Sequence, residues 1–244
     1  MYRYNNNFMG LAAKATHSAN VIIGHLLDAT PLPSVADFGC ARGTWLAAWR
    51  RHGVSDILGL DGPYVPPSEL EIPVNAFRAC DLSKPINVNR RFALVQSLEV
   101  AEHLRPEASD QFVDSLTKHS DIVLFSASPP GQGGENHVNE RNYEYWRDRF
   151  AARGYAMLDW LRPRIVADHT VQYWYRYNAF LFVAERALDT VPASWRDTRV
   201  PARGPVADVS PALFRLRKRV VRTLPVSVQT SLSRLMSAAR SAAP

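Results

Sequence analysis

Apolar residues recur at helical spacing over residues 11–27, and Asp28-Ala-Thr-Pro-Leu-Pro33 ends that run. The period then changes. Short continuous apolar runs at 34–38, 56–61, 75–80, 91–98, 121–126, 154–160 and 178–184 are too short for helices, are bounded by turn residues, and predict strands. Between them, residues 44–52 (Trp45, Leu46, Trp49), 106–119 (Phe112, Val113, Leu116) and 139–152 (Tyr143, Trp146, Phe150) return to helical spacing. Strands without a polar face, alternating with helices, predict an α/β protein with a mostly parallel sheet covered by helices on both faces. No internal repeat interrupts this order.

The first strand hands over to the first inter-strand helix through Asp37-Phe-Gly-Cys-Ala-Arg-Gly43. Gly39 and Gly43 allow a tight turn and close backbone approach to a ligand, and the N–H groups opening the helix face it. A dinucleotide site would carry G-x-G-x-x-G, whose third glycine packs helix on strand. Here an acid precedes the first glycine, and Ala41 stands between Gly39 and Gly43. Alanine fits there at little cost if its φ is negative. Strand two ends in Asp61, about twenty residues past the turn, where a carboxylate accepts both hydroxyls of a ribose. Asp61-Gly62-Pro63 is also a turn signal, and the two roles are compatible. Asp81, just past strand three and followed by Leu82, either caps a turn or faces the same ligand.

Strand four, ending in Ser97-Leu98, is followed by Glu99-Val-Ala-Glu102-His103. Two carboxylates and an imidazole at a strand end can converge on one point. They suit Mg²⁺ or Mn²⁺, and less well Zn²⁺. The loop after strand five, carrying the glycine run at 131–134 and then His137, should lie beside them and supply a fourth ligand. Glu99, Glu102, His103 and His137 are therefore the candidate metal set. Without a metal, His103 or His137 would be the general base, oriented by Glu102 or Glu99.

Charge separates the tail from the body. The 244-residue chain carries +6, but the part from Arg186 onward carries 11 basic and 3 acidic residues, leaving the body slightly acidic. A high isoelectric point thus gives no reason to expect nucleic acid at the active site. Residues 186–210, rich in Pro, Arg and Ala, read as a linker between a domain at 1–185 and a basic extension at 186–244. Residues 211–223 and a second run through Val228, Leu232, Leu235, Met236 and Ala239 predict amphipathic helices, suited to an anionic membrane surface, a partner, or solvent. Cys40 and Cys80 give no disulfide framework, and no signal peptide is evident, so a cytoplasmic protein with reduced thiols is expected.

The ordered set Asp37-x-Gly39-x-Ala41-x-Gly43, Leu60-Asp61, Cys80-Asp81 and Ser97-Leu-Glu-Val-Ala-Glu-His103 resembles the class I S-adenosylmethionine-dependent methyltransferases, over roughly residues 10–184. The resemblance implies a Rossmann-like fold with a seven-stranded sheet and an antiparallel edge. It implies a cofactor held by Asp37, Gly39, Cys40, Ala41, Gly43, Asp61, Gly62, Asp81, Leu82, Ser97 and Leu98, with Asp81 on the adenine amino group. Glu99-x-x-Glu102-His103 with a later histidine is similar to the metal site of small-RNA 3′-terminal 2′-O-methyltransferases and to a stretch in ubiquinone-pathway O-methyltransferases. The expected activity is O-methylation of a sugar, glycan or other small-molecule hydroxyl. An RNA ribose acceptor and a non-catalytic cofactor-binding scaffold are the alternatives. The aromatic residues Tyr143, Trp146, Tyr173, Trp174 and Tyr175 are available to stack on an acceptor ring or to pack the core.

Overall fold

The computed structural model describes residues 7–225, 227–231 and 235, with side chains from Ala15 onward. Its strands are β1 (Ser34–Phe38), β2 (Asp56–Asp61), β3 (Phe77–Ala79), β4 (Leu94–Leu98), β5 (Ile122–Ser126), β6 (Tyr155–Leu158) and β7 (Phe180–Ala184). They form one sheet in the order β3-β2-β1-β4-β5-β7-β6. β1 through β5 pair in parallel, and β7 runs antiparallel between β5 and β6. The expected antiparallel pairing is at that side of the sheet, with β6 outermost. The chain steps outward from β1 to β3 and then crosses back to β4. The carboxyl ends of β1 and β4 therefore flank the point where strand order reverses, which is where open α/β sheets bind ligands.

The helices are α1 (Asn7–Ala29), α2 (Thr44–Arg51), α3 (Ser109–His119), α4 (Tyr143–Ala151), the short α5 (Arg162–Ile165), α6 (Tyr173–Asn178) and α7 (Ala193–Arg196), and α8 (Ala212–Val221). α1 buries Ala19, Ile22, Ile23 and Leu26, one face at helical spacing, and packs beside α2. Its Ser18 hydroxyl accepts the Gln172 N–H at 3.0 Å, and His17 lies 2.8 Å from the Thr170 hydroxyl. α4 begins later than its apolar spacing predicts, because the Asn139 N–H and side chain are held by the 101–109 region instead of opening a helix. No helix among the described residues is long and apolar enough to cross a membrane.

The segment expected to be a linker is packed against the sheet instead. Trp195 is fully buried beside Trp160, with ring centroids 5.2 Å apart. Arg199 bridges antiparallel to Leu158, and the Val200 N–H donates to the Met157 carbonyl at 2.9 Å, so this strip covers the free edge of β6. Arg147 donates to the Gly204 carbonyl at 2.7 Å, and the fully buried Arg162 donates to that of Ala207 at 2.9 Å. Proline- and arginine-rich composition mimics a linker here because the segment is fixed by its carbonyl groups and one tryptophan, not by an apolar period. In the tail, α8 forms as expected. Of the second run, Leu232, Met236 and Ala239 lie outside the described residues.

Candidate functional site

The turn after β1 is built from positive-φ residues. Gly39 has φ +96°, Gly43 has φ +86°, and Ala41 has φ +48°. Ala41 is therefore left-handed, contrary to the negative φ that would make alanine cheap there, and costs about 1–2 kcal/mol relative to glycine. A methyl group added at Gly39 would lie 2.3 Å from Val100 Cγ2, so the turn is closed to side chains from above. What holds Ala41 in place is Asp61. Its buried carboxylate accepts the Ala41 N–H at 2.6 Å and the Gly62 N–H at 2.7 Å, and also the Tyr64 hydroxyl. Asp61 thus ties the end of β2 to the glycine turn, with a phenol on its remaining carboxylate edge.

Asp37 is buried at the end of β1. Burial, reinforced by the neighbouring Asp61 carboxylate, pushes its pKa up to about 7 against the opposing hydrogen bond from Gln96 at 2.8 Å. Gln96 in turn accepts the Trp49 indole N–H at 2.8 Å, so β1, β4 and α2 meet through one amide. Three other predicted cofactor contacts have different side-chain roles. Cys40 turns into the core over Gly59, and burial raises its thiol pKa. Ser97 donates to the Phe38 carbonyl at 2.8 Å and stitches β4 to β1. Asp81 is exposed and caps its own turn, accepting the Ser83 N–H at 2.9 Å and the Ser83 hydroxyl at 2.6 Å on one oxygen. Its other oxygen has no partner in that turn. Leu82 is buried, and Leu98 is half-buried at the end of β4.

The acidic stretch after β4 divides. Glu99 has φ +56°, a left-handed conformation uncommon outside glycine. Its side chain enters an amide network, accepting from Gln132 at 2.9 Å, the Ser128 hydroxyl at 3.2 Å and Asn178 at 3.4 Å. Glu102, His103 and His137 converge separately, offering ligand atoms within 4.8 Å of one another, so the expected four-residue set is three here. Glu102 is fully buried. One of its oxygens lies 3.0 Å from the Ser128 hydroxyl, whose single proton it shares with Glu99, and the other has no partner among the described residues. Burial, with the nearby Glu99 carboxylate, raises its pKa well above the usual carboxylate range. The His103 and His137 rings meet edge to face at 4.8 Å. Loss of water around the His103 ring, and then His137 opposite it, hold the His103 pKa down to about 4.

His137 reaches this cluster because the 129–140 loop is pinned twice. The Glu102 carbonyl accepts the N–H groups of Val138 at 2.9 Å and Asn139 at 3.0 Å. Glu140 then gathers the glycine run, accepting the Gly131 N–H at 2.7 Å, the Gly133 N–H at 2.9 Å and bonding His137 Nδ1 at 3.0 Å. The sequence points to Glu99 or Glu102 as the carboxylate orienting a histidine, but Glu140 performs that task. It sits three residues after His137, a spacing visible in the sequence. Ser128, Gln132 and Asn178 carry no such signal, because each meets Glu99 only through the tertiary fold. Of the candidate stacking aromatics, Tyr143, Trp146 and Tyr175 are buried in the core, and Tyr173 packs against Phe214 of α8.

No protein-family model matches the sequence, and no curated protein matches it. Solved structures do match. DesVI of Streptomyces venezuelae is similar at 16% identity and TM-score 0.54, over 75% of this chain and 100% of that one. Magnesium protoporphyrin IX methyltransferase of Synechocystis PCC 6803, solved with S-adenosylmethionine bound, matches at 15% identity and TM-score 0.53, over 75% of this chain and 86% of its own. CalS10, an amino pentose methyltransferase of Micromonospora echinaspora, gives 14%, 0.51, 75% and 98%. The chain has the class I methyltransferase fold. Within that fold the glycine turn and Asp61 lie at the carboxyl ends of β1 and β2, and the Glu102–His103–His137 cluster stands at the adjoining ends of β4 and β5.

Proposed function

We propose that this chain is an S-adenosylmethionine-dependent methyltransferase acting on a hydroxyl of a sugar, glycan or other small-molecule acceptor. The observation that carries the reading is the juxtaposition of two sites at one sheet edge: a glycine turn locked to Asp61, and an acid–histidine cluster under a glycine-rich loop. The fold shared with DesVI, CalS10 and the magnesium protoporphyrin IX enzyme, the last two solved with S-adenosylmethionine bound, supports the cofactor.

The cofactor supplies an electrophilic methyl carbon on a sulfonium. Asp61 is positioned to accept ribose hydroxyls once Tyr64 gives way, and Asp81 offers its unengaged oxygen to an adenine amino group. His137 serves as the base for the acceptor hydroxyl. With Nδ1–H donated to Glu140, its Nε2 carries the lone pair, and the carboxylate stabilises the imidazolium that forms. His103, held neutral, is the weaker base.

The donor set also suits a divalent ion. Glu102 has an unpartnered buried oxygen, and two imidazoles lie within ligand range of it. With two imidazoles and one carboxylate, Glu102, His103 and His137 would hold Mn²⁺ better than Mg²⁺, and the ion would lower the pKa of a bound hydroxyl. Calorimetric titration with S-adenosylhomocysteine, after chelation and again with Mg²⁺ or Mn²⁺, tests both parts in the wild type and in Glu102→Ala. Absence of cofactor binding would sink the transferase reading. Cofactor binding without a metal response would leave His137 as the unaided base.

A further inference from the structure

α8 presents three faces. Phe214 and Arg217 turn inward, Phe214 against Tyr173 and Tyr177 and Arg217 onto the Gln132 carbonyl at 3.0 Å. Leu213, Leu216 and Val220 form an exposed apolar stripe. The third face, Arg215, Lys218, Arg219 and Arg222 at i, i+3, i+4 and i+7, opens into a cleft of about 340 Å³. The opposite wall is Pro129 and Pro130, which lead into the glycine-rich loop, and Tyr143 of α4. The helix is seated closely on that loop: a methyl group added at Gly131 would lie 2.0 Å from the Lys218 carbonyl oxygen.

The cleft is lined by four cations and two acids, both acids being engaged within the fold. Asp208 pairs with Lys218 at 2.6 Å, and the Glu144 carboxylate accepts the Val206 N–H at 2.5 Å. Arg215 is spent on the carbonyl of Ser210. The Arg219 and Arg222 side chains face the cleft without a hydrogen bond or ion pair to another described residue. Among the described residues neither guanidinium is used, and planar guanidinium forks favour phosphate oxygens. A hydrogen-bonded path leads from the cleft towards the end of β4: the Tyr143 hydroxyl donates to Asn178, which donates to Glu99, three residues before Glu102 of the acid–histidine cluster.

Building on the transferase reading, we infer that this cleft binds a phosphate group of the methyl acceptor, so that the acceptor hydroxyl is presented on a phosphate- or diphosphate-linked carrier. The phosphate could belong to a soluble nucleotide carrier or to a lipid headgroup, and the experiment separates these.

The full chain is titrated with sodium pyrophosphate and with UDP, and is cosedimented with phosphatidylcholine vesicles containing phosphatidylglycerol. Wild type, R219E/R222E and R219K/R222K are compared, with S-adenosylhomocysteine binding measured alongside. Pyrophosphate should bind the wild type, bind R219E/R222E about tenfold or more weakly, and largely return in R219K/R222K. UDP binding tighter than pyrophosphate assigns the phosphate to a nucleotide carrier. Vesicle binding displaced by pyrophosphate assigns it to a headgroup. Three results overturn the inference: no binding of any probe, binding indifferent to charge reversal, or vesicle binding that pyrophosphate cannot displace. Absence of binding of all three probes with intact S-adenosylhomocysteine binding in the wild type would reject the cleft alone. The converse would reject the transferase reading and keep the anion site.

Discussion

Glu140 lies 3.0 Å from His137 Nδ1 and at the same time accepts the N–H groups of Gly131 and Gly133. One carboxylate therefore fixes both the shape of the glycine-rich loop and the tautomer of the histidine that the loop carries. Shape and chemistry are not separable at this position.

Replacing Glu140 by alanine leaves two loop N–H groups without their acceptor and frees the His137 ring. Amide hydrogen exchange at Gly131 and Gly133 should accelerate, while S-adenosylhomocysteine affinity stays near the wild-type value. Methyl transfer should fall about 10²-fold or more, the usual range for losing an oriented base. Unchanged exchange at the two glycines would show that the loop is held by something other than Glu140.

Ala41 is an alanine in a left-handed turn, with φ +48°. Ala41→Gly removes that strain but gives the unfolded chain more freedom, worth about 0.4–1 kcal/mol against the strain of about 1–2 kcal/mol. The variant should be more stable by up to about 1.6 kcal/mol in denaturant titration. At Gly39 the balance reverses. Gly39→Ala meets both φ +96° and the Val100 side chain, and should destabilise by several times that amount.

Much of this site was legible in the chain. Apolar runs located the seven strands named above, most cleanly the parallel β1, β4 and β5, where burial on both faces leaves no polar alternation. The pairing of Asp61 with the glycine turn was readable because a carboxylate closing the second strand, about twenty residues past such a turn, lies beside it in a parallel sheet. The φ of Ala41 was not readable, since it is imposed by Asp61 accepting the Ala41 N–H from another strand. The same holds for Glu99, drawn away from the histidines by Gln132 and Asn178, residues 33 and 79 positions distant. The side chain of Ser97 is hidden for a related reason: its hydroxyl is consumed by the carbonyl of Phe38 on the neighbouring strand.

Asp37 carries a pH dependence of stability. Its folded pKa of about 7 lies above the ordinary value of 3.8, so between these values the folded chain holds a proton that the unfolded chain has released. The stability that this proton confers is complete below pH 3.8 and is lost as pH rises towards 7. Asp37→Asn keeps an acceptor for Gln96 without the ionisation. Its melting temperature, relative to the wild type, should therefore rise more at about pH 8 than at about pH 5. An equal offset at both values would mean that Asp37 does not titrate in this window.

The packed strip after β7 decides where the chain can be cut. A linker at 186–210 would make removal of everything beyond 190 harmless. Instead, that cut removes Trp195 from its burial against Trp160, strips the pairing from β6, and leaves Arg162 without the Ala207 carbonyl. Losing a buried tryptophan alone costs about 3–5 kcal/mol, comparable to much of the stability of an ordinary domain. Truncation after residue 190 should therefore give an unfolded or aggregated product, as should Trp195→Ala in milder form. Truncation after residue 210 spares every one of these contacts and removes only α8 and the residues beyond it. That shorter chain should fold and bind S-adenosylhomocysteine, but its glycine-rich loop loses the bond from Arg217 to the Gln132 carbonyl, so protease cleavage within 129–138 should speed up. Circular dichroism and limited proteolysis of the two truncations, side by side, place the boundary.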